Sequence, residues 1–274
     1  SLCEETGKIK ILAGGTDLIV QMRSDVIAPT TIVDIKHIPE LTDVVFDYNS
    51  IHVGAAVSGA SLNENLVLKK EWPGIVEAAE LIGSTQIQGR ATLGGNLCNG
   101  SPAADTVPAL IAGNAVARIA SKNGVRQIPV EQFIIGPGKT VLARDEILVS
   151  IGLFRRTSRS GDSYLRFIPR TEMDIAAVGV GINITLDEAD ICVSARVSLG
   201  AVAEKPILVE SASDILIGSK LEEPIMKEVS EVVMKSCRPI DDKRGTKEFR
   251  THVAGILVNR AARIAFERAR FHND

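Results

Sequence analysis

Residues 86–105 constrain this 274-residue chain more than any other stretch, because Gly89, Gly94, Gly95 and Gly100 punctuate short apolar pieces with hydroxyls, amides and an acid. The pattern makes a poor helix or strand and a good cradle. Glycine carries no Cβ, so a phosphate can come close to the main chain, and glycine reaches the positive-φ conformations that turn successive N–H groups toward one anion. Pro102 stands where a helix can begin, and 103–112 reads as that helix, whose N-terminal end favours negative charge. A second glycine pair, Gly14-Gly15, follows an apolar strand over 9–12 and opens a helix over 17–22. Most Gly-Gly pairs are ordinary turns. Two strand-to-glycine bends some 80 residues apart, however, suit a ligand with two linked phosphates.

The rest of the composition bounds the partners. A net charge of −3 leaves no basic footprint for nucleic acid. No apolar run approaches the roughly 18 residues of a membrane span, and the first five residues are no signal peptide. Cys3, Cys98, Cys192 and Cys237 form no CxxC pair, which argues against an iron–sulfur or zinc site within the chain and for a reducing cytoplasm. His37, His52, His252 and His272 share no triad or metal-ligand spacing.

Ala13-Gly14-Gly15-Thr16-Asp17-Leu18, Ala91-Thr92-Leu93-Gly94-Gly95-Asn96 and Ser101-Pro102-Ala103-Ala104-Asp105 together resemble the FAD-binding subunit of the molybdenum hydroxylases. That family includes the medium subunit of aerobic-type carbon monoxide dehydrogenase and the central flavin domain of xanthine dehydrogenase. Arg170-Thr171-Glu172-Met173-Asp174-Ile175-Ala176 is similar to the family's C-terminal signature, so the likeness covers nearly the whole chain. It implies an α+β protein. An FAD-binding domain of the two-part vanillyl-alcohol-oxidase/PCMH type, trimmed at its N-terminus, takes 1–156, and a C-terminal domain with a three-stranded antiparallel sheet and helices takes 163–274.

The resemblance also assigns residues. Leu12, Ala13, Gly14, Gly15, Thr16, Asp17 and Leu18, with Thr92, Leu93, Gly94, Gly95 and Asn96, wrap the FAD pyrophosphate through main-chain N–H groups and the Thr16 and Thr92 hydroxyls. Asp105 contacts the FAD at the ribose, or is simply an acid in the first turn of a helix, where it is worth up to about 1 kcal/mol. Ile82 and Leu148 lie beside the cofactor or in plain core packing. Arg166 stands where many relatives have Lys, near the flavin ring or phosphates; the two cations differ in hydrogen-bond geometry. Asp174 reads as a hydrogen-bonding residue at the domain joint rather than a flavin contact, and Cys98 as a packed side chain rather than a redox thiol. Some related flavoenzymes attach FAD through a histidine after the first glycine pair. Thr16 occupies that place here, so the resemblance implies a non-covalent flavin.

In order, the chain reads as a buried strand over 31–35, a hairpin of 44–46 with 51–57, a helix capped by Ser61 and Glu64 that runs toward Pro73, a helix from Pro73 to 82, a hairpin of 116–119 with 125–128, and a strand over 146–153. The basic run 155–162 reads as an exposed, solvated connection. Strands over 163–168, 176–184 and 191–199 follow, then helices over 222–236 and 247–268. On the last helix Val253, Ile256, Leu257, Ala261 and Ile264 make one buried stripe.

No paired carboxylates, nucleophile elbow or metal ligands appear, so the difficult chemistry belongs to a cofactor. The family likeness places this chain between a small subunit with two iron–sulfur clusters and a large molybdenum-cofactor subunit, collecting electrons on FAD for an external acceptor. A stand-alone FAD-dependent oxidoreductase is the runner-up, but no substrate-binding constellation appears in 163–274. A non-catalytic nucleotide-binding scaffold is a third reading.

Overall fold

The computed structural model describes residues 9–170 and 173–271; Cys3, Thr171, Glu172 and His272 lie outside the described residues. Strands β1 (Ile9–Leu12) and β2 (Thr31–Asp34) pair in parallel around helix α1 (Leu18–Arg23). Strand β2 alternates between half-buried and exposed residues and is not the buried strand its composition predicts, because this two-stranded sheet is open to solvent.

The next elements are α2 (Pro39–Thr42), β3 (Val44–Phe46), β4 (Ser50–Gly54), α3 (Gly59–Glu64), α4 (Leu66–Glu71), α5 (Pro73–Glu80), α6 (Thr85–Gln88), α7 (Leu93–Cys98) and α8 (Thr106–Ala112). Strands β5 (Val116–Ser121), β6 (Gly124–Pro129), β7 (Ile134–Gly136), β8 (Lys139–Thr140) and β9 (Ile147–Phe154) complete this half. A five-stranded antiparallel sheet runs in the order β3-β4-β9-β5-β6. Its inner face buries Ile51, Val53, Ala117, Ile119, Ile151 and Leu153 against the helices, as the period of two requires.

The predicted single helix before Pro73 is two. Asn65 closes α3 and caps α4, its Oδ1 accepting from Leu68 N at 3.0 Å. The N-cap of α3 is Ser58 rather than Ser61: Ser58 Oγ accepts from Ser61 N at 3.1 Å.

Beyond residue 154 come β10 (Ser160–Phe167), β11 (Val178–Leu186), β12 (Cys192–Gly200), β13 (Ile207–Leu208), α9 (Glu210–Leu216), α10 (Glu223–Ser236) and α11 (Lys247–Phe271). The three expected antiparallel strands are present, and β13 extends the sheet to the order β10-β11-β12-β13. A second core lies between this sheet and the three helices. Each fully buried Val or Leu there, such as Val180, Leu199 or Val258, contributes about 1.5–3 kcal/mol.

The buried side of α11 is broader than the predicted stripe. Val253, Leu257 and Ala261 are buried as expected, whereas Ile256 is exposed and Ala254, Val258, Ala262, Ala265 and Ala269 take its place. The cause is proximity: a Cβ on Gly161 of β10 would meet the Ala265 carbonyl oxygen at 2.1 Å. Backbones that close leave room only for small side chains.

Helix α8 links the halves. All seven of its residues are buried, since one side faces the first core and the other faces β11 and β12. A Cβ on Gly181 would meet Pro108 O at 2.5 Å. Helix α8 starts at Thr106, three residues later than residue 103, because residues 101–105 form turns in which Ser101 Oγ accepts from Ala103 N at 3.2 Å.

The basic connection is the largest departure from expectation. Arg156 is not solvated: its side chain is 3% exposed, Nη1 donates to Asp162 Oδ1 at 2.6 Å, Nη2 donates to Asn183 Oδ1 at 2.8 Å, and the guanidinium lies 4.4 Å from the Trp72 ring centroid. Residues 160–162 already belong to β10 and are buried. Burial pushes the Asp162 carboxyl up, against the pull of Arg156.

Candidate functional site

The two glycine bends meet. A Cβ on Gly14 would strike the Arg90 carbonyl oxygen at 1.9 Å, so the first bend packs directly on the main chain that leads into the second. Gly15 holds φ +80°, the left-handed region that favours glycine. Between the bends lies a cleft of about 280 Å³.

The first bend lines it with Ala13, Gly14, Gly15, Thr16, Asp17 and Leu18, and the second with Thr92, Gly94, Gly95 and Asn96. Ile82 and Leu148 also face it. Of the other predicted site residues, Leu12, Leu93, Asp105 and Arg166 are absent from its walls. Among the lining residues that sequence reasoning missed are Lys10, Ile11, Ala55, Glu146 and Ile147. Ile11 and Ile147 neighbour predicted residues on their strands, which is the one signal that pointed to them.

The second bend is helical, contrary to its composition, because Thr92 caps it. Thr92 is the N-cap of α7, and its Oγ1 accepts from Gly95 N at 2.9 Å. Asn96 Oδ1 accepts from Thr106 N at 3.2 Å and from Thr106 Oγ1 at 2.7 Å. Its amide oxygen is thereby committed to the start of α8, and its NH2 group has no acceptor among the described residues.

The chemistry of the cleft is that of unpaired amides. Among the described residues, the N–H groups of Gly14, Gly15, Thr16 and Asp17 donate to no protein acceptor, nor does that of Gly94. Gly14 is buried, and a buried N–H without a partner is rare. A Cβ on Gly95 would meet only Thr92 Oγ1, at 2.9 Å, with nothing else within 4 Å. These donors, and the open space over Gly95, fit a pyrophosphate.

Charge around the cleft is mostly negative. Hydrogen bonds from Arg126 lower the Glu146 carboxyl to about 2, with help from Ala143 N at 2.8 Å. Burial raises the Asp17 carboxyl. Lys10 is the lone cation in the lining, so amide geometry, rather than a salt bridge, must carry affinity for an anion. Cys98 is exposed on the cleft wall rather than packed away as expected, and desolvation by the surrounding cleft pushes its thiol up to about 12. No histidine lines the cleft.

Asp105 and Arg166, outside the lining, pair with each other. Arg166 Nη1 donates to Asp105 Oδ2 at 2.8 Å, and the Tyr164 hydroxyl donates to Asp105 Oδ1 at 3.1 Å. Burial raises the Asp105 carboxyl, and Arg166 pulls it back. Asp174 accepts from Arg170 Nε at 3.0 Å, from Arg244 Nε at 3.2 Å and from Ile175 N at 2.8 Å. Both arginines lie beyond residue 163, so Asp174 fastens the signature loop to the segment before α11 rather than to the first half.

A family profile described as the FAD-binding domain in molybdopterin dehydrogenase matches residues 1–153, and one described as the CO dehydrogenase flavoprotein C-terminal domain matches residues 163–265. The xanthine dehydrogenase FAD-binding subunit of Escherichia coli O157:H7 is 31% identical over 262 residues, 95% of this chain and 89% of that protein. The carbon monoxide dehydrogenase medium chain of Hydrogenophaga pseudoflava is 27% identical over 94% of this chain and 90% of its own. A solved structure of reconstituted CO dehydrogenase from Oligotropha carboxidovorans superposes with a TM-score of 0.93 at 28% identity, covering 97% of this chain and 93% of that one. Among the described residues no helix is long and apolar enough to cross a membrane. The chain belongs to the family of FAD-binding subunits of the molybdopterin dehydrogenases, and its fold is that of the CO dehydrogenase medium subunit.

Proposed function

We propose that the chain is the electron-relaying FAD subunit of a cytoplasmic molybdenum hydroxylase, fed by iron–sulfur clusters on a small partner subunit and assembled with a large subunit that holds the molybdenum cofactor. One observation carries the reading: two glycine bends far apart in sequence line a single cleft with main-chain N–H groups that have no acceptor among the described residues. When bound in the cleft, FAD would supply the redox chemistry that links a partner's clusters to an external acceptor.

The chain's own residues bind and orient it. The N–H groups of Gly14, Gly15, Thr16, Asp17 and Gly94 take the pyrophosphate, the Thr16 and Thr92 hydroxyls and the Asn96 amide complete the cradle, and Ile82 and Leu148 wall the cleft with apolar surface. Leu12, Ala13, Leu18, Leu93 and Gly95 shape the two bends. Asp105 and Arg166, paired with each other, fix the start of α8 next to the second bend. The division into an FAD-binding domain over 1–156 and a C-terminal domain over 163–274 is supported by the two profile matches, 1–153 and 163–265, and by the two buried clusters.

Purification of the native protein tests this. A flavin spectrum, together with co-purifying iron–sulfur and molybdenum subunits, is expected. A chain that stays colourless with excess FAD removes the reading, and a yellow chain that turns over substrate without partners favours the stand-alone oxidoreductase.

A further inference from the structure

Lys36 lies outside the cleft walls but is bonded to them. Its Nζ donates to the Ala13 carbonyl at 3.1 Å and to Asp34 Oδ1 at 2.7 Å. Asp34 Oδ1 also accepts from Lys36 N at 3.0 Å, and the side-chain hydrogen bond from Lys36 holds the Asp34 carboxyl below its usual range. The Lys36 side chain is 24% exposed, so water competes only partly for its ammonium.

Ala13 leads into the first bend. The Ala13–Gly14 peptide is trans, and in a trans peptide the C=O and the N–H point in opposite directions. Holding the Ala13 carbonyl on Lys36 therefore turns the Gly14 N–H the other way. That N–H belongs to the buried residue that lines the cleft and lacks an acceptor among the described residues. A cation on the carbonyl also polarises the peptide and makes its N–H a stronger donor.

We propose that Lys36 is a positioning residue for the phosphates of the bound dinucleotide, acting through the Ala13–Gly14 peptide rather than by contact. The inference rests on the FAD reading of the cleft. A purely structural tie between β2 and the bend would need the hydrogen bond but not the charge, and the two roles separate experimentally.

FAD is titrated into the flavin-free full chain, wild type and Lys36→Met, Lys36→Gln and Lys36→Arg, by flavin fluorescence, and the Gly14 amide is followed by 1H–15N correlation. Lys36→Met removes donor and charge and raises the Kd about tenfold, Lys36→Gln keeps a donor and raises it about threefold, and Lys36→Arg stays within about twofold. The Gly14 amide proton of the flavin-free protein moves upfield in Lys36→Met and Lys36→Gln. An unchanged Kd and an unmoved Gly14 amide in Lys36→Met, or equal losses in all three variants, overturn the inference. If Lys36→Met does not fold, the Gln and Arg variants decide. A wild type that binds no FAD instead sinks the cofactor reading beneath it.

Discussion

Arg166 Nη1 reaches Asp105 Oδ2 at 2.8 Å, which ties the end of β10 to the residue that precedes α8. The two side chains are 7% and 12% exposed, so neither charge has water to fall back on. Removing the cation strands a buried carboxylate, and Arg166→Met is expected to lower the unfolding free energy by about 3 kcal/mol in urea titrations. Arg166→Lys keeps the charge and loses less. A loss under about 1 kcal/mol for the Met variant would show that the pair bears no weight in the fold.

Gly14 and Gly95 line the same cleft and are expected to fail differently. A Cβ on Gly14 meets fixed backbone at 1.9 Å, so Gly14→Ala forces the bends apart and costs about 3 kcal/mol of stability. A Cβ on Gly95 meets only the Thr92 hydroxyl. Gly95→Val therefore melts within a few degrees of the wild type, yet fills the space above the amides and abolishes FAD retention. Normal flavin stoichiometry in that variant counts against the site.

The Arg156–Asp162 pair is expected to behave as one unit. Arg156→Met leaves the fully enclosed Asp162 without its cation and costs about 3–5 kcal/mol. The double variant Arg156→Met, Asp162→Asn costs less than the sum of the two single changes, with a coupling of about 1–3 kcal/mol in a double-mutant cycle. Additive losses would mean that the contacts with Trp72, Asn183 and the Glu71 carbonyl, not the ion pair, hold Arg156.

Acid sensitivity should trace in part to Glu146. Its folded carboxyl titrates at about 2, below the ordinary value near 4.3. A depressed carboxylate adds stability that is complete above its unfolded value and is lost as pH falls through its folded value. Between pH about 4.5 and about 2 the wild type is therefore expected to lose stability more steeply than Glu146→Gln, as measured by urea melts at successive pH values. Parallel curves would refute the assignment.

What the sequence made legible was the backbone's special needs. Gly14, Gly15, Gly94 and Gly95 stood out because a close approach or a positive φ leaves glycine little competition, and the apolar runs of β9, β11 and β12 announced themselves by length and pattern. What stayed hidden depended on neighbours remote in sequence. Arg156 looked like a solvated cation because Trp72 and Asn183 are far along the chain. Ser61 looked like a cap because Glu64 stands three residues later; Ser58 carries the same hydroxyl, and only the backbone path decides between them. The alanines of α11 carried no hydrophobic signal of their own, and only the nearness of Gly161 makes them the buried side. Asp105 was read as a ribose contact or a first-turn acid and Arg166 as a residue near the flavin, while their mutual contact, 61 residues apart, could not be read from either segment.

Helix α8 is roofed by one half and floored by the other. Prising the halves apart would strip cover from seven buried residues at once, so neither half has a private folded state to retreat to. Heating is expected to give one melting step, and limited proteolysis is expected to cut surface loops without releasing a stable fragment.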